Sequence, residues 1–174
     1  HRSLEMIVAM FAVLRCGAYY LPVDPYWPAD RVKFILKDSN SKFLILNEKY
    51  IDTFKDDATC INVDNILDLP DVKENVEFKY DVNSLVYTIY TSGTTGKPKG
   101  ILTSNYNVAY LLNSTRNRLV QDENDIWVLF HTYTFDFSTW EIYASLLFGG
   151  KLVIVPKETT LSPKEFLKLL VEEK

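Results

Sequence analysis

Ten consecutive residues, Thr91-Ser92-Gly93-Thr94-Thr95-Gly96-Lys97-Pro98-Lys99-Gly100, hold the densest chemistry in the chain. Gly93, Gly96 and Gly100 admit backbone angles that other residues resist, and Pro98 withholds an N–H, so neither strand nor helix is expected across the stretch. The hydroxyls of Thr91, Ser92, Thr94 and Thr95 and the ammonium groups of Lys97 and Lys99 crowd around them. Spare backbone N–H groups, hydroxyl donors and two positive charges suit a polyphosphate. The common P-loop is excluded, because its first glycine would have to stand at Thr91, five residues ahead of Gly96. No G-x-G-x-x-G occurs, which excludes the dinucleotide fingerprint as well. Composition alone would also fit a polar surface turn.

The elements around this loop have to deliver it. Leu85-Val86-Tyr87-Thr88-Ile89-Tyr90 is short, apolar and not alternating, which predicts a strand buried on both faces that leads straight into the loop. Beyond it Ile101-Leu102-Thr103 reads as a brief strand, and Val108, Leu111, Leu112 and Thr115 recur at helical spacing. Ile126 to Phe130 is a further strand, left by a loop from His131 to Asp136. Ser138 and Glu141 fit a capping box for a helix that runs to Leu147 or Phe148 and stops at Gly149-Gly150. Lys151 to Val155 is a strand closed by Pro156, and Ser162 with Glu165 forms a second capping box opening the last helix.

The first half is less regular. Leu4, Ile7, Val8, Phe11 and Leu14 predict a helix capped by Ser3 and ended by Gly17. Tyr19 to Val23 predicts a short strand, and Asp24-Pro25-Tyr26-Trp27-Pro28 a turn with Pro28 as the first residue of the next helix. Val32, Ile35 and Leu36 form that helix's inner face, and Phe43 to Leu46 is a short buried strand. Glu48 to Ser84 reads as a loosely structured, solvated excursion, with a minor strand at Cys60 to Val63 and a turn at Leu69-Pro70-Asp71.

Alternation of strand and helix predicts an α/β fold: a mostly parallel sheet with helices on both faces. Ligands then sit at the carboxyl ends of strands, where two loops emerge, Thr91 to Gly100 and His131 to Asp136. The 174 residues are one domain's worth of chain, with 47% hydrophobic and 14% aromatic residues that fit a globular core. A net charge of −4 gives no footing for nucleic acid. Cys16 and Cys60 lack metal-type spacing and read as reduced thiols of a cytoplasmic protein. No apolar run approaches the roughly 18 residues of a membrane span. With no initiator Met and a helical pattern still running at Val171-Glu172-Glu173-Lys174, the chain reads as a piece of something longer.

Three runs carry a resemblance. Tyr90 to Gly100 resembles the signature loop of the adenylate-forming, AMP-binding superfamily, and with Leu85 to Tyr90 most resembles the adenylation domains of non-ribosomal peptide synthetases. Cys16-Gly17-Ala18-Tyr19-Tyr20-Leu21-Pro22-Val23-Asp24-Pro25 is similar to an early core motif of those domains, although Leu14-Arg15-Cys16-Gly17 replaces the usual leucine-lysine-alanine-glycine. These residues could equally serve only to pack a helix on a strand. Phe130 to Glu141 resembles the pocket motif of the amino-acid-activating members.

What the resemblance implies is specific. Residues 1–174 would form a single, partial adenylation domain, truncated at both ends, from the large N-terminal part of the enzyme. Thr91, Ser92, Gly93, Thr94, Thr95, Gly96, Lys97 and Lys99 would bind the phosphates of ATP, with Lys99 catalytic. Asp136 would pair with the α-ammonium of an amino acid, Phe137 and Trp140 would line the side-chain pocket, and His131 would stand on the substrate side. A carboxylate beside a helix start among aromatics is a desolvated anion suited to one cation. Read without the resemblance, Asp136 could be a helix cap, Phe137 and Trp140 core, and His131 a satisfied loop histidine.

The implied reaction joins an amino acid to ATP as an aminoacyl-adenylate. The acyl group then passes to the phosphopantetheine thiol of a carrier domain, with a condensation domain of the same synthetase as a further partner. The adenine, ribose and Mg2+ ligands belong to later motifs, so no metal site is expected here, and the chain alone is expected to be inactive. Asp-Phe-Trp resembles the start of a pocket code often seen for threonine. Other readings are an acyl-CoA-synthetase-type ligase and a non-catalytic nucleotide-binding or interaction fragment.

Overall fold

The helical spacing of Leu4 to Leu14 becomes α1 (Leu4–Arg15), and its ends are closed as its sequence requires. The Ser3 hydroxyl accepts the Met6 N–H at 3.3 Å, and Gly17 takes a φ of +74°, where a side chain would be strained. The computed structural model describes residues 1–64, 66, 81–92, 97–119 and 121–173. They fall into two units, residues 1, 3–81 and 85–102 in one and residues 2, 82–84 and 103–174 in the other.

In the first unit α1 buries Ile7, Ala9 and Met10. Helix α2 (Ala29–Asp38) buries Val32, Ile35 and Leu36, the inner face expected of it. It begins one residue later than predicted, with Pro28 at the N-cap. Strand β1 (Phe43–Leu46) runs through a 3-10 turn (Glu48–Tyr50) and α3 (Ile51–Phe54) into β2 (Thr59–Asn62). β1 and β2 pair in parallel, from Phe43 opposite Thr59 to Leu46 opposite Asn62. Two expectations are corrected here. β1 is only half-buried, since Phe43 stays 64% exposed. The stretch from Glu48 to Phe54 is short helical turn, not loose excursion, because polar composition says nothing about bonds made by backbone groups, while the minor strand expected at Cys60 to Val63 is present as β2. Asp64 ties its start, accepting from the Glu48 N–H at 2.8 Å and from the Asn47 side-chain amide. The turn expected at Leu69-Pro70-Asp71 lies outside the described residues.

Strand β3 (Leu85–Ser92) buries Val86 to Tyr90, as its unbroken apolar run predicts, and pairs with β4 (Pro98–Ser104). The stretch 91–100 is therefore partly strand, contrary to expectation. A proline at a strand's first residue costs no ladder bond, so Pro98 opens β4 instead of preventing it. The strand predicted at Tyr19 to Val23 shrinks to one parallel bridge between Tyr20 and Tyr87. Tyr20 donates to Val86 O and accepts from the Thr88 N–H, at 3.1 and 3.0 Å. The next donor in a parallel ladder would be residue 22, and Pro22 has no N–H.

The second unit contains α4 (Asn105–Leu119), β5 (Ile126–Leu129), α5 (Phe137–Leu147), β6 (Lys151–Ile154), α6 (Lys157–Thr160) and α7 (Pro163–Glu172). β5 and β6 pair in parallel, from Ile126 opposite Lys151 to Leu129 opposite Ile154, with α5 as the crossover packed on both. Gly150 ends that crossover because a Cβ there would meet the Asp125 carbonyl oxygen at 2.7 Å. Ser162 caps α7 by accepting the Glu165 N–H at 3.4 Å, one half of the predicted box, while its own N–H donates to Thr159 O at 3.2 Å. The other capping box does not form. α5 starts at Phe137, the Ser138 hydroxyl donates to Phe135 O at 2.7 Å, and Glu141 turns to His131. Among the described residues the strands form three two-stranded sheets, two of them parallel βαβ units, so the α/β class stands and the expected parallel sheet is present in part.

Candidate active site

The described phosphate-loop residues belong to the first unit. β3 carries Thr91 and Ser92 to its end, exposed, and β4 starts from Lys97 and Pro98, with Lys99 exposed. Gly93, Thr94, Thr95 and Gly96 lie outside the described residues. Neither Lys97 nor Lys99 is ion-paired with a carboxylate among the described residues, so both ammonium groups are free to meet an anion. The foot of this loop is braced by contacts that sequence reading missed. The Tyr90 hydroxyl donates to Asp38 Oδ2 at 2.7 Å, and Gly100 lies against the same ring, where a Cβ would stand 3.0 Å from Cε2 and 3.1 Å from Cζ. Burial, then the hydrogen bond to Asp38, raises the Tyr90 phenol above its ordinary range. Thr88 adds a bond from its hydroxyl to Ile101 O at 3.2 Å. Tyr90 and Gly100 were visible only as strand end and loop end, and nothing in the sequence pairs them with Asp38.

The second loop belongs to the second unit. It leaves β5 at Phe130 and turns through Phe135, whose N–H donates to Thr132 O at 2.9 Å. Asp136 stands at the N-cap position of α5, where its backbone carbonyl accepts from the Thr139 N–H at 3.0 Å, yet its side chain makes no cap bond and its carboxylate has no hydrogen-bond or ion-pair partner among the described residues. Its carboxylate is exposed, where a desolvated one was expected. The neighbouring rings explain this, since Phe135 and Phe137 are themselves 52% and 44% exposed and leave it open to water.

Phe137 and Trp140, three residues apart on α5, share a helix face and meet edge to face at 5.5 Å. Trp140 is fixed from behind by Trp127, 4.7 Å away and nearly perpendicular, and by its Nε1–H donating to Thr115 Oγ1 at 3.2 Å. His131 joins the cluster with its ring 4.5 Å from that of Phe137. Its Nδ1 lies 2.7 Å from Glu141 Oε1, and its backbone N–H donates to Oε2 at 3.1 Å.

The structure thus brings His131, Asp136, Phe137 and Trp140 together on one loop and helix start. Arg2 is a residue sequence reading missed. Its guanidinium donates to Leu129 O, Phe130 O and Val155 O at 3.3, 2.8 and 3.1 Å, bolting the carboxyl ends of β5 and β6 beside this loop. An arginine ahead of a helix cap carries no signal of that. No cluster of His, Cys, Asp and Glu able to hold a metal stands among the described residues, and none of their helices is long and apolar enough to cross a membrane.

Comparison with known proteins fits these loops into a family. The dimodular nonribosomal peptide synthase of Bacillus subtilis (strain 168) is 42% identical over 185 residues, spanning 99% of this chain and 8% of that protein. A plipastatin synthase of the same strain is 40% identical, with 99% and 7% covered. Syringomycin synthase SyrB1 of Pseudomonas syringae pv. syringae is 34% identical, with 99% and 28% covered. The chain therefore spans under a third of the length of these relatives. Among solved structures, o-succinylbenzoate CoA synthetase from Bacillus subtilis, in complex with an acyl-adenylate intermediate, superimposes with a TM-score of 0.87 at 22% identity over 99% of this chain and 45% of that one. A nonribosomal peptide synthetase, FmoA3, in its alpha-methyl-L-serine-AMP bound form, gives 0.85 at 22% over 97% and 19%. The fold is that of the N-terminal part of adenylate-forming enzymes. The family model described as AMP-binding enzyme matches residues 1–174, end to end, and the chain belongs to that family.

Proposed function

We propose that residues 1–174 form part of one adenylation domain of a nonribosomal peptide synthetase and help to activate an amino acid with ATP. A carboxylate oxygen of the amino acid attacks the α-phosphorus, the bond to the bridging oxygen of the β-phosphate breaks, and aminoacyl-adenylate and pyrophosphate leave. In the complete enzyme the acyl group then moves to the phosphopantetheine thiol of a carrier domain, and a condensation domain of the same cytoplasmic synthetase uses it.

The observation that carries this reading is Asp136, a carboxylate without a protein partner among the described residues, set at the start of α5 beside Phe137 and Trp140. An unpaired anion next to two rings suits a substrate bearing one ammonium group and a modest side chain. The names of the relatives, peptide synthases matched along 99% of the chain, support the same substrate class. In this reading His131 stands on the substrate side. Thr91, Ser92 and residues Gly93, Thr94, Thr95 and Gly96 offer donors to the phosphates, and Lys97 and Lys99 offer charge. Lys99 meets the charge that builds during displacement, and catalysis is mainly positioning and electrostatics. The exposed hydroxyls of Thr91 and Ser92, with two lysines that have no ion-pair partner among the described residues, fit a polyphosphate. Magnesium would neutralise phosphate charge, and the resemblance assigns its ligands to later motifs of the family; no cluster of three or more His, Cys, Asp or Glu able to hold a metal stands among the described residues.

The test is ATP–pyrophosphate exchange by the enzyme carrying this chain, run over a panel of amino acids. Threonine and similarly sized residues should lead, because two large rings leave little pocket volume. A preference for tryptophan or arginine would overturn the pocket assignment, and exchange with acyl-CoA-type substrates but no amino acid would overturn the function.

A further inference from the structure

Glu141 is a carboxylate that the reaction above leaves without a task. It is only 5% exposed, on the face of α5 that also buries Ser138, Thr139 and Ile142. An ionised carboxylate only accepts hydrogen bonds. One oxygen is committed to the His131 backbone N–H at 3.1 Å, so the carboxylate cannot swing away from the ring it also holds, with Nδ1 at 2.7 Å from the other oxygen. That oxygen requires a proton on Nδ1, which leaves Nε2 of the neutral imidazole as a bare acceptor. The rings of Phe137, Phe130 and Phe135, at 4.5, 5.6 and 6.2 Å, restrict rotation, while the His131 side chain keeps 39% of its surface open.

We propose that Glu141 is a positioning residue that fixes His131 as the Nδ1–H tautomer and presents Nε2 as a hydrogen-bond acceptor beside Phe137. The ligand group this fits is an N–H or O–H donor of the substrate, not a carboxylate or phosphate oxygen. The tautomer stands by itself; the ligand clause rests on the reading of this loop as an amino-acid site.

The chain has two histidines, so ring-labelled histidine gives two spin systems, and a His131→Gln variant assigns them. Long-range proton–nitrogen spectra at about pH 8.5, roughly two units above an ordinary imidazole pKa, should show Nδ1 of His131 protonated and Nε2 bare. In Glu141→Gln the fixed backbone N–H takes the single amide oxygen, the NH2 faces Nδ1, and the ring should invert to Nε2–H. A wild-type ring protonated at Nε2, or an unchanged tautomer in a folded Glu141→Gln, overturns the proposal. If Glu141→Gln does not fold, the wild-type spectrum decides alone. In the complete enzyme the same variant should raise the amino-acid KM about 5- to 10-fold, the scale of one hydrogen bond, with the ATP KM unchanged. A wild-type enzyme that activates no amino acid would overturn the ligand clause while leaving the tautomer intact.

Discussion

Replacing Gly100 by alanine should transmit strain from the foot of the phosphate loop into α2. The added Cβ would sit 3.0 and 3.1 Å from two carbons of the Tyr90 ring, so the ring must give by a few tenths of an ångström. It has little room, because Tyr90 is 7% exposed and its hydroxyl is held by Asp38 at 2.7 Å. Overpacking of this kind costs about 1–3 kcal/mol, and the stiffer unfolded chain returns about 0.4–1 kcal/mol. The net loss centres on roughly 1.3 kcal/mol, or about 0.6 M in the urea midpoint if m is about 2 kcal/mol/M. The tether makes a second expectation. Tyr90→Phe alone should cost about 1 kcal/mol, since Asp38 is exposed and rehydrates when its partner goes. Gly100→Ala should then cost roughly 0.5–1 kcal/mol less in the Tyr90→Phe background than in the native one. Urea unfolding of the four proteins, followed by circular dichroism, completes the cycle. A neutral or stabilising Gly100→Ala, or an undiminished cost without the hydroxyl, would refute the reasoning.

In the intact enzyme, Lys99→Ala should lower exchange turnover roughly 10- to 1000-fold with little change in amino-acid KM, the effect of losing one charged donor at a developing charge; an unchanged rate, with Lys97→Ala abolishing it instead, would move the role to Lys97. Arg2→Ala leaves three part-buried carbonyls without their shared donor and should cost about 1–3 kcal/mol, with faster hydrogen exchange through β5; Arg2→Lys, which lacks the fork, should restore only part of it. The Tyr90 phenol is raised in the folded state, so its contribution is complete below the unfolded tyrosine pKa of about 10 and is lost as pH climbs beyond it. Tyr90→Phe should flatten that alkaline limb of the stability profile.

The sequence carried the elements better than their connections. Ser3, Ser162 and Gly17 closed helices where they were expected to, because caps are local and need no partner far along the chain. Val86 to Tyr90 announced a buried strand by composition alone. What failed was whatever depended on distant groups. Ser138 and Glu141 had the spacing of a capping box, but His131 offered Glu141 two donors and the helix began two residues early, with Asp136 at the N-cap. The minor strand at Cys60 to Val63 was legible and stands as β2, whereas the short helical turns from Glu48 to Phe54 looked like solvated loop because their composition is polar. In the candidate site, His131, Asp136, Phe137 and Trp140 were legible because one loop and one helix turn hold them all. Arg2, Asp38 and Glu141 were not, since each acts on residues that only folding brings near.

The central claim is that Asp136 answers the ammonium group of an amino acid. Its most direct measurement is exchange of labelled pyrophosphate into ATP by the complete enzyme, with the preferred amino acid and with the same acid lacking its α-amino group. Because the carboxylate is exposed, its bond to the ammonium is assigned about 1.5–3 kcal/mol, roughly 10- to 150-fold in kcat/KM. The native enzyme should favour the amino acid by that factor, and Asp136→Ala should erase the preference while the deaminated acid reacts as before. An Asp136→Ala enzyme that still prefers the amino acid by the native margin would contradict the account.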